Sequence, residues 1–192
     1  MRSVAAAALP LLLAGPAWAD TSVQVCYNYG CAVEAQVVLA EARFAELGRL
    51  LATARTPEAE RDLLALAVGR LYAWAGEQTP VWRDRGGNYN DDDSQSGRMD
   101  CIDHATTTTR FLDALAARGW LRFHRVLPPQ RRTRFLIGQH FSAAIEELGP
   151  VRDPEHPAPE RYVVDSWFRD NGKPAVIMPL EQWQEGADPD VD

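Results

Sequence analysis

Apolar positions along the chain fall into three regimes: an unbroken run at the start, helical spacing in the first half, and alternation in the second. Val4 to Ala14 is Ala and Leu interrupted only by Pro10, behind the single basic residue Arg2, and the segment closes on Ala17-Trp18-Ala19. A basic start, a short apolar run and a small-x-small ending are the marks of an export signal. Cleavage is expected after Ala19, so residues 1–19 read as signal peptide and the mature chain as starting at Asp20. An Asp at that position, in place of Cys, argues against a lipid anchor. The run is too short to span a bilayer, which takes roughly 20 apolar residues.

Residues 32–54 carry Val33, Val37, Leu39, Ala40, Phe44, Leu47, Leu50 and Leu51 at helical spacing and predict a first helix. A second is expected over Pro57–Glu77. Thr56 is a good cap, Pro57 suits the first helical position, and Glu58 and Glu60 complement the helix dipole. Residues 79–99 are loop chemistry: Thr79-Pro80, Gly86-Gly87, the acidic run Asp91 to Asp93, and Ser94 to Gly97. That length in a compact domain points to function or disorder. A third helix is predicted from Asp100 to Arg118, stopped by Gly119.

Beyond Gly119 the period becomes two. Leu121–Val126, Arg134–Glu147, Tyr162–Phe168 and Ala175–Met178 read as strands, with a Pro-rich loop at 153–159 and a turn at Asp170-Asn171-Gly172-Lys173. The tail, 186–192, is polar and expected to be disordered. Helices followed by consecutive strands imply an α+β domain over 20–185 with an antiparallel sheet.

Charge narrows the partners. The full chain carries −7, and losing one Arg and no acids with the leader takes it to −8. Nucleic acid and anionic membrane surfaces need a basic face and are disfavoured. No other segment could insert in a membrane, so the expected location is periplasmic or secreted.

Three cysteines change the picture further. Thiols that reach an oxidising compartment tend to pair. Cys26 and Cys31 are separated by Tyr27-Asn28-Tyr29-Gly30 and are expected to form a disulfide, which leaves Cys101 free. An odd Cys in a secreted protein is a candidate reactive thiol. It sits in Arg98-Met99-Asp100-Cys101-Ile102-Asp103-His104, after a Gly-rich loop and at a predicted helix start. Helix N–H groups there stabilise a thiolate and can also hold the oxyanion of an acyl-transfer intermediate.

A thiol nucleophile needs a base, and the base an orienting acceptor. His140 lies in a strand pattern between the small residues Gly138 and Ser142, which leave room beside the ring. Asp165 is a charged residue inside the apolar strand Tyr162 to Phe168, costly there unless paired. His140 is its natural partner if the two strands are neighbours. The triad is therefore read as Cys101, His140 and Asp165. His104, one helical turn from Cys101, is a weaker choice of base, because residues at that spacing stack along the helix axis. A metal site built on Cys101 and His104 lacks the second ligand pair that zinc sites usually have. Asn88, Asn90, Gln95 and Trp82 are candidates for a further oxyanion donor. Trp82, Trp167 and Trp183 are candidates to line a cleft, with ordinary core or rim packing the preferred reading.

Asp-Cys opening a helix, then His on a strand, then Asp in Val-Val-Asp-Ser-Trp on the next strand resembles the transglutaminase-like superfamily. Within it the sequence is most similar to the bacterial transglutaminase-like cysteine proteinases. The resemblance spans about Trp82 to Met178. It implies a papain/transglutaminase-like fold and an exported cysteine hydrolase that cleaves a peptide or amide bond in a protein or peptide substrate through an acyl-enzyme. The alternatives are a non-catalytic periplasmic binding domain of the same fold and an amine acyltransferase. No organic cofactor is required. Those proteinases bind calcium through acidic residues flanking the Cys, which here singles out Asp100 and Asp103 as calcium ligands, although the position after the Cys is Ile102. Cell-wall peptidases of the Asp-Cys-Ser-Gly type are a poorer match, since the Ser-Gly is missing.

Overall fold

Alternation starts earlier than the helical reading allows. Val23 and Val25 are buried between exposed Ser22 and Gln24, and Val37 and Leu39 between exposed Gln36 and Val38. These residues form a hairpin, β1 (Thr21–Tyr27) and β2 (Val33–Leu39), paired antiparallel with Val25 opposite Ala35. The single helix expected over 32–54 is therefore a strand followed by a helix, α1 (Glu41–Leu51). Val33, Val37, Phe44 and Leu47 fit a helical period, but Val37 and Leu39 are buried in alternation with exposed Gln36, Val38 and Ala40, as a strand requires. The structure is a computed structural model and describes residues 19–87, 95–134, 138–149 and 159–189.

Helix α2 (Pro57–Gly76) begins as anticipated, with the Thr56 side chain accepting from Ala59 N at 3.2 Å. A short 3-10 turn, Pro80–Arg83, follows. Helix α3 (Cys101–Ala117) comes next and is capped by Asp100. It is the central element, packed against β1, β3 and β4, and it buries Phe111, Leu112 and Leu115.

The remaining strands are β3 (His124–Arg134), β4 (Gly138–Glu147), β5 (Arg161–Asp165) and β6 (Val176–Pro179), antiparallel in that order. The first of these starts later and runs longer than the Leu121–Val126 reading. Residues 135–137 of the strand expected from Arg134 lie outside the described residues. A last helix, α4 (Leu180–Gln184), was not expected; it buries Leu180 and Trp183. Of the tail read as disordered from Gly186, the structure describes residues 186–189, where Arg132 donates to Ala187 O at 2.8 Å and pairs with Asp188. The fold is α+β with a two-stranded and a four-stranded antiparallel sheet. One apolar core joins the hairpin, α1, α2, α3 and the inner face of the larger sheet.

Candidate active site

Cys101 is the first residue of α3, the only free cysteine, and partly exposed. Two residues upstream, Met99 is fully buried, and its N–H donates to Asp84 Oδ1 at 2.8 Å. The approach to the helix is fixed further at Gly97, whose φ is +103° and whose Cβ, were there one, would lie 2.1 Å from Pro80 O. Only glycine fits there. At the helix start Asp100 accepts from Ile102 N and Asp103 N, both at 2.9 Å, and Asp103 returns a bond to Asp100 N at 3.1 Å. This is a reciprocal capping box. The Cys101 amide has no acceptor among the described residues, so it remains available beside the sulfur.

His140 comes from β4 and Asp165 from the end of β5, neighbours in the sheet as anticipated. His140 Nε2 lies 2.7 Å from Asp165 Oδ2. The Cys101 thiol acts on the same imidazole and raises its pKa. With Nε2 committed to the carboxylate, Nδ1 is the ring nitrogen that the carboxylate leaves open. Cys101 Sγ is also 4.0 Å from Gln139 O. Cys101 thus comes up against β4 one residue from His140, and His140 pairs with Asp165. Burial alone would push the His140 pKa down, but the hydrogen bonds to Asp165 and to Cys101 outweigh it and raise the value from 6.5 to about 9.

Asp165 is nearly inaccessible and takes two further donors: Trp167 N at 3.2 Å on Oδ1 and Trp183 Nε1 at 3.1 Å on Oδ2. The buried charge is thereby satisfied. Trp167, Phe168 and Trp183 surround the His140 ring at 4.6, 5.5 and 5.6 Å between centroids. Trp183 is held in turn by Arg132, whose guanidinium sits 4.8 Å from the indole and donates to Trp183 O at 2.8 Å. Two of the tryptophans read as packing residues therefore belong to the site. Trp82 does not share that burial; it is 59% exposed.

His104 is not a competing base. It is buried, with Nε2 2.9 Å from Asp84 Oδ2 and Nδ1 2.8 Å from Ser166 Oγ. Ser166 Oγ is also 2.9 Å from Thr108 Oγ1 and 3.2 Å from Tyr72 OH. Asp84 therefore ties the chain leading to Cys101, through His104, to the residue that follows Asp165. Asp84 and Ser166 were missed in the sequence. The one available signal was an Asp between the Thr79-Pro80 turn and the glycines, and it looked like ordinary loop polarity. His124 is likewise engaged, 2.9 Å from buried Glu60, and His156 lies outside the described residues.

The residues singled out for calcium are occupied otherwise. Gly30 N donates to Asp100 Oδ2 at 2.9 Å, and Tyr29 N and Cys31 N donate to Asp103 at 2.8 and 2.6 Å, in addition to the capping bonds. Carboxylates surrounded by N–H donors turn few lone pairs toward a cation, whereas calcium asks for six to eight oxygens. The Asp91–Asp93 run, Asn88 and Asn90 lie outside the described residues. Asp103 itself is raised to about 6, burial outweighing its backbone N–H bonds. Cys26 and Cys31 form the expected disulfide, with Cα atoms 4.6 Å apart. No helix among the described residues is long and apolar enough to cross a membrane.

No family model, curated protein or solved structure matches the chain.

Proposed function

We propose that the chain is a cysteine hydrolase of the papain/transglutaminase-like type, cleaving a peptide or amide bond through an acyl-enzyme on Cys101. The observation that carries this reading is His140 2.7 Å from the Asp165 carboxylate, with Cys101 at the tip of α3 against the neighbouring residue Gln139 and acting on the same imidazole.

In the proposed cycle His140 holds the proton taken from the thiol, and Cys101 Sγ attacks the substrate carbonyl. The tetrahedral oxyanion forms next to the Cys101 amide, which needs no other partner there. His140 then protonates the leaving nitrogen, and water, deprotonated by the same imidazole, releases the acyl group. Asp165 keeps Nε2 as the donor toward itself, so that Nδ1 faces sulfur throughout. The indole and phenyl rings around His140 exclude water from the ion pair and strengthen it.

The proposed setting is extracytoplasmic, in keeping with the leader-like first residues and the intramolecular disulfide. The proposed substrate is a protein or peptide. The test is to incubate the purified protein with envelope and secreted proteins of its host, beside Cys101→Ala, and to compare the fragments by mass spectrometry. Cleavage by the wild type alone is expected; identical fragment patterns would remove the protease reading.

A further inference from the structure

The turn between β1 and β2 reaches the site from outside the triad. Asn28, Tyr29, Gly30 and Cys31 all have positive φ, at 66°, 63°, 61° and 56°. Three of the four carry a Cβ, which the left-handed region penalises. Such a run persists only if the surroundings hold it. Here the Cys26–Cys31 disulfide closes it, and Asn28 N donates to Arg98 O at 2.7 Å.

Successive left-handed residues turn their N–H groups toward one side and form an anion-binding concavity. The anions in it are the carboxylates one residue before and two residues after Cys101. Gly30 N holds Asp100, and Tyr29 N and Cys31 N together hold both oxygens of Asp103. Those same carboxylates cap the helix that starts at Cys101. The shape of the turn and the position of the nucleophile are thus mechanically joined.

We infer that the disulfide-closed turn is a positioning element for Cys101, so that the reactivity of the nucleophile depends on the oxidation state of the Cys26–Cys31 pair. The inference rests on the reading of Cys101 as the nucleophile. A dithiol is sufficient to reverse the state. Its thiolate attacks Sγ of Cys31, the less buried partner, and Cys26 leaves as a thiolate and takes a proton. The second thiol of the reductant then closes its own disulfide and releases Cys31 as a thiol, two electrons having passed to the protein. The turn relaxes, its N–H groups leave Asp100 and Asp103, and Cys101 loses register with His140. A chain of this design is slack in a reducing compartment and set in an oxidising one.

The experiment compares the wild type, Cys26→Ala/Cys31→Ala, Cys26→Ala/Cys31→Gly, Asp103→Asn and His140→Ala. The rate of Cys101 carboxamidomethylation by iodoacetamide at pH 7 is read on the Cys101 peptide by mass spectrometry, with circular dichroism and thermal unfolding run alongside. The Ala/Ala variant is expected to react more slowly than the wild type by on the order of tenfold or more, as a misplaced nucleophile does. The Ala/Gly variant recovers part of that rate, because glycine takes positive φ without the Cβ penalty. A disulfide that only adds stability would lower the melting temperature of both and leave the rate unchanged. Asp103→Asn, with its disulfide intact, is expected to be slow as well, which keeps the test decisive if the Ala/Ala protein does not fold. Wild-type rates in the folded variants, with His140→Ala slow, overturn this inference alone. A wild type no faster than His140→Ala overturns the site reading beneath it.

Discussion

Trp183 Nε1 lies 3.1 Å from Asp165 Oδ2, the same oxygen that binds His140 Nε2. The indole and the imidazole therefore share one acceptor, and the indole tempers how strongly that oxygen holds the imidazolium. In Trp183→Phe the ring stays but the donor goes. Asp165 then binds the His140 proton more tightly, and the His140 pKa is expected to rise above about 9. An NMR titration of the His140 ring reads this directly. A fall would show that Trp183 acts on the histidine by some route other than Asp165. Loss of the hydrogen bond should also cost about 1 kcal/mol in urea unfolding.

The His140 shift makes stability depend on pH in a defined direction. Its folded pKa is raised from 6.5 to about 9, so the stabilisation is fully present below about pH 6.5 and is lost as pH rises through about 9. Urea unfolding of wild type and His140→Gln from pH 6 to 10 should show the gap between the two narrowing over that interval. A gap that is constant, or that widens with pH, contradicts the charged pair.

Asp84 is expected to matter for folding as much as any residue of the triad. It accepts from Met99 N and is paired with His104, and Asp84→Ala leaves two buried donors without partners. The expected cost is about 2–6 kcal/mol, at about 1–3 kcal/mol for each unpaired group. His104→Gln and His104→Asn separate the two ends of the chain of contacts. Gln can reach Asp84 and Asn can reach Ser166, so each keeps one bond. Each should be more stable than Asp84→Ala in thermal unfolding; equal losses would mean that the bonds are not separable.

The site was legible in sequence because its parts obey local rules. Cys101 follows a Gly-rich loop at a predicted helix start, and an Asp in the apolar Tyr162–Phe168 stretch is conspicuous. The pairing of His140 with Asp165 was read on the condition that their strands are neighbours, and β4 and β5 are. The supporting shell was not legible, since it depends on long-range contact. Nothing near Asp84 announces a partner 20 residues on, in His104. The short helix holding Trp183 follows a strand with only Pro179 between the periods. The hairpin was missed because Val37, Phe44 and Leu47 fit a helical period by coincidence across the junction at Ala40. The backbone donors to Asp100 and Asp103 were not legible, because the turn that supplies them lies about 70 residues earlier in the chain.

The measurement that bears most directly on the central claim is a burst experiment with p-nitrophenyl acetate, followed by intact-mass analysis after an acid quench. Wild type should release one equivalent of nitrophenol per chain rapidly and carry one acetyl group, located on Cys101. His140→Ala should acylate far more slowly, and Cys101→Ala not at all. Acetylation spread over other residues, or a rate on Cys101 that is indifferent to His140, would contradict the account.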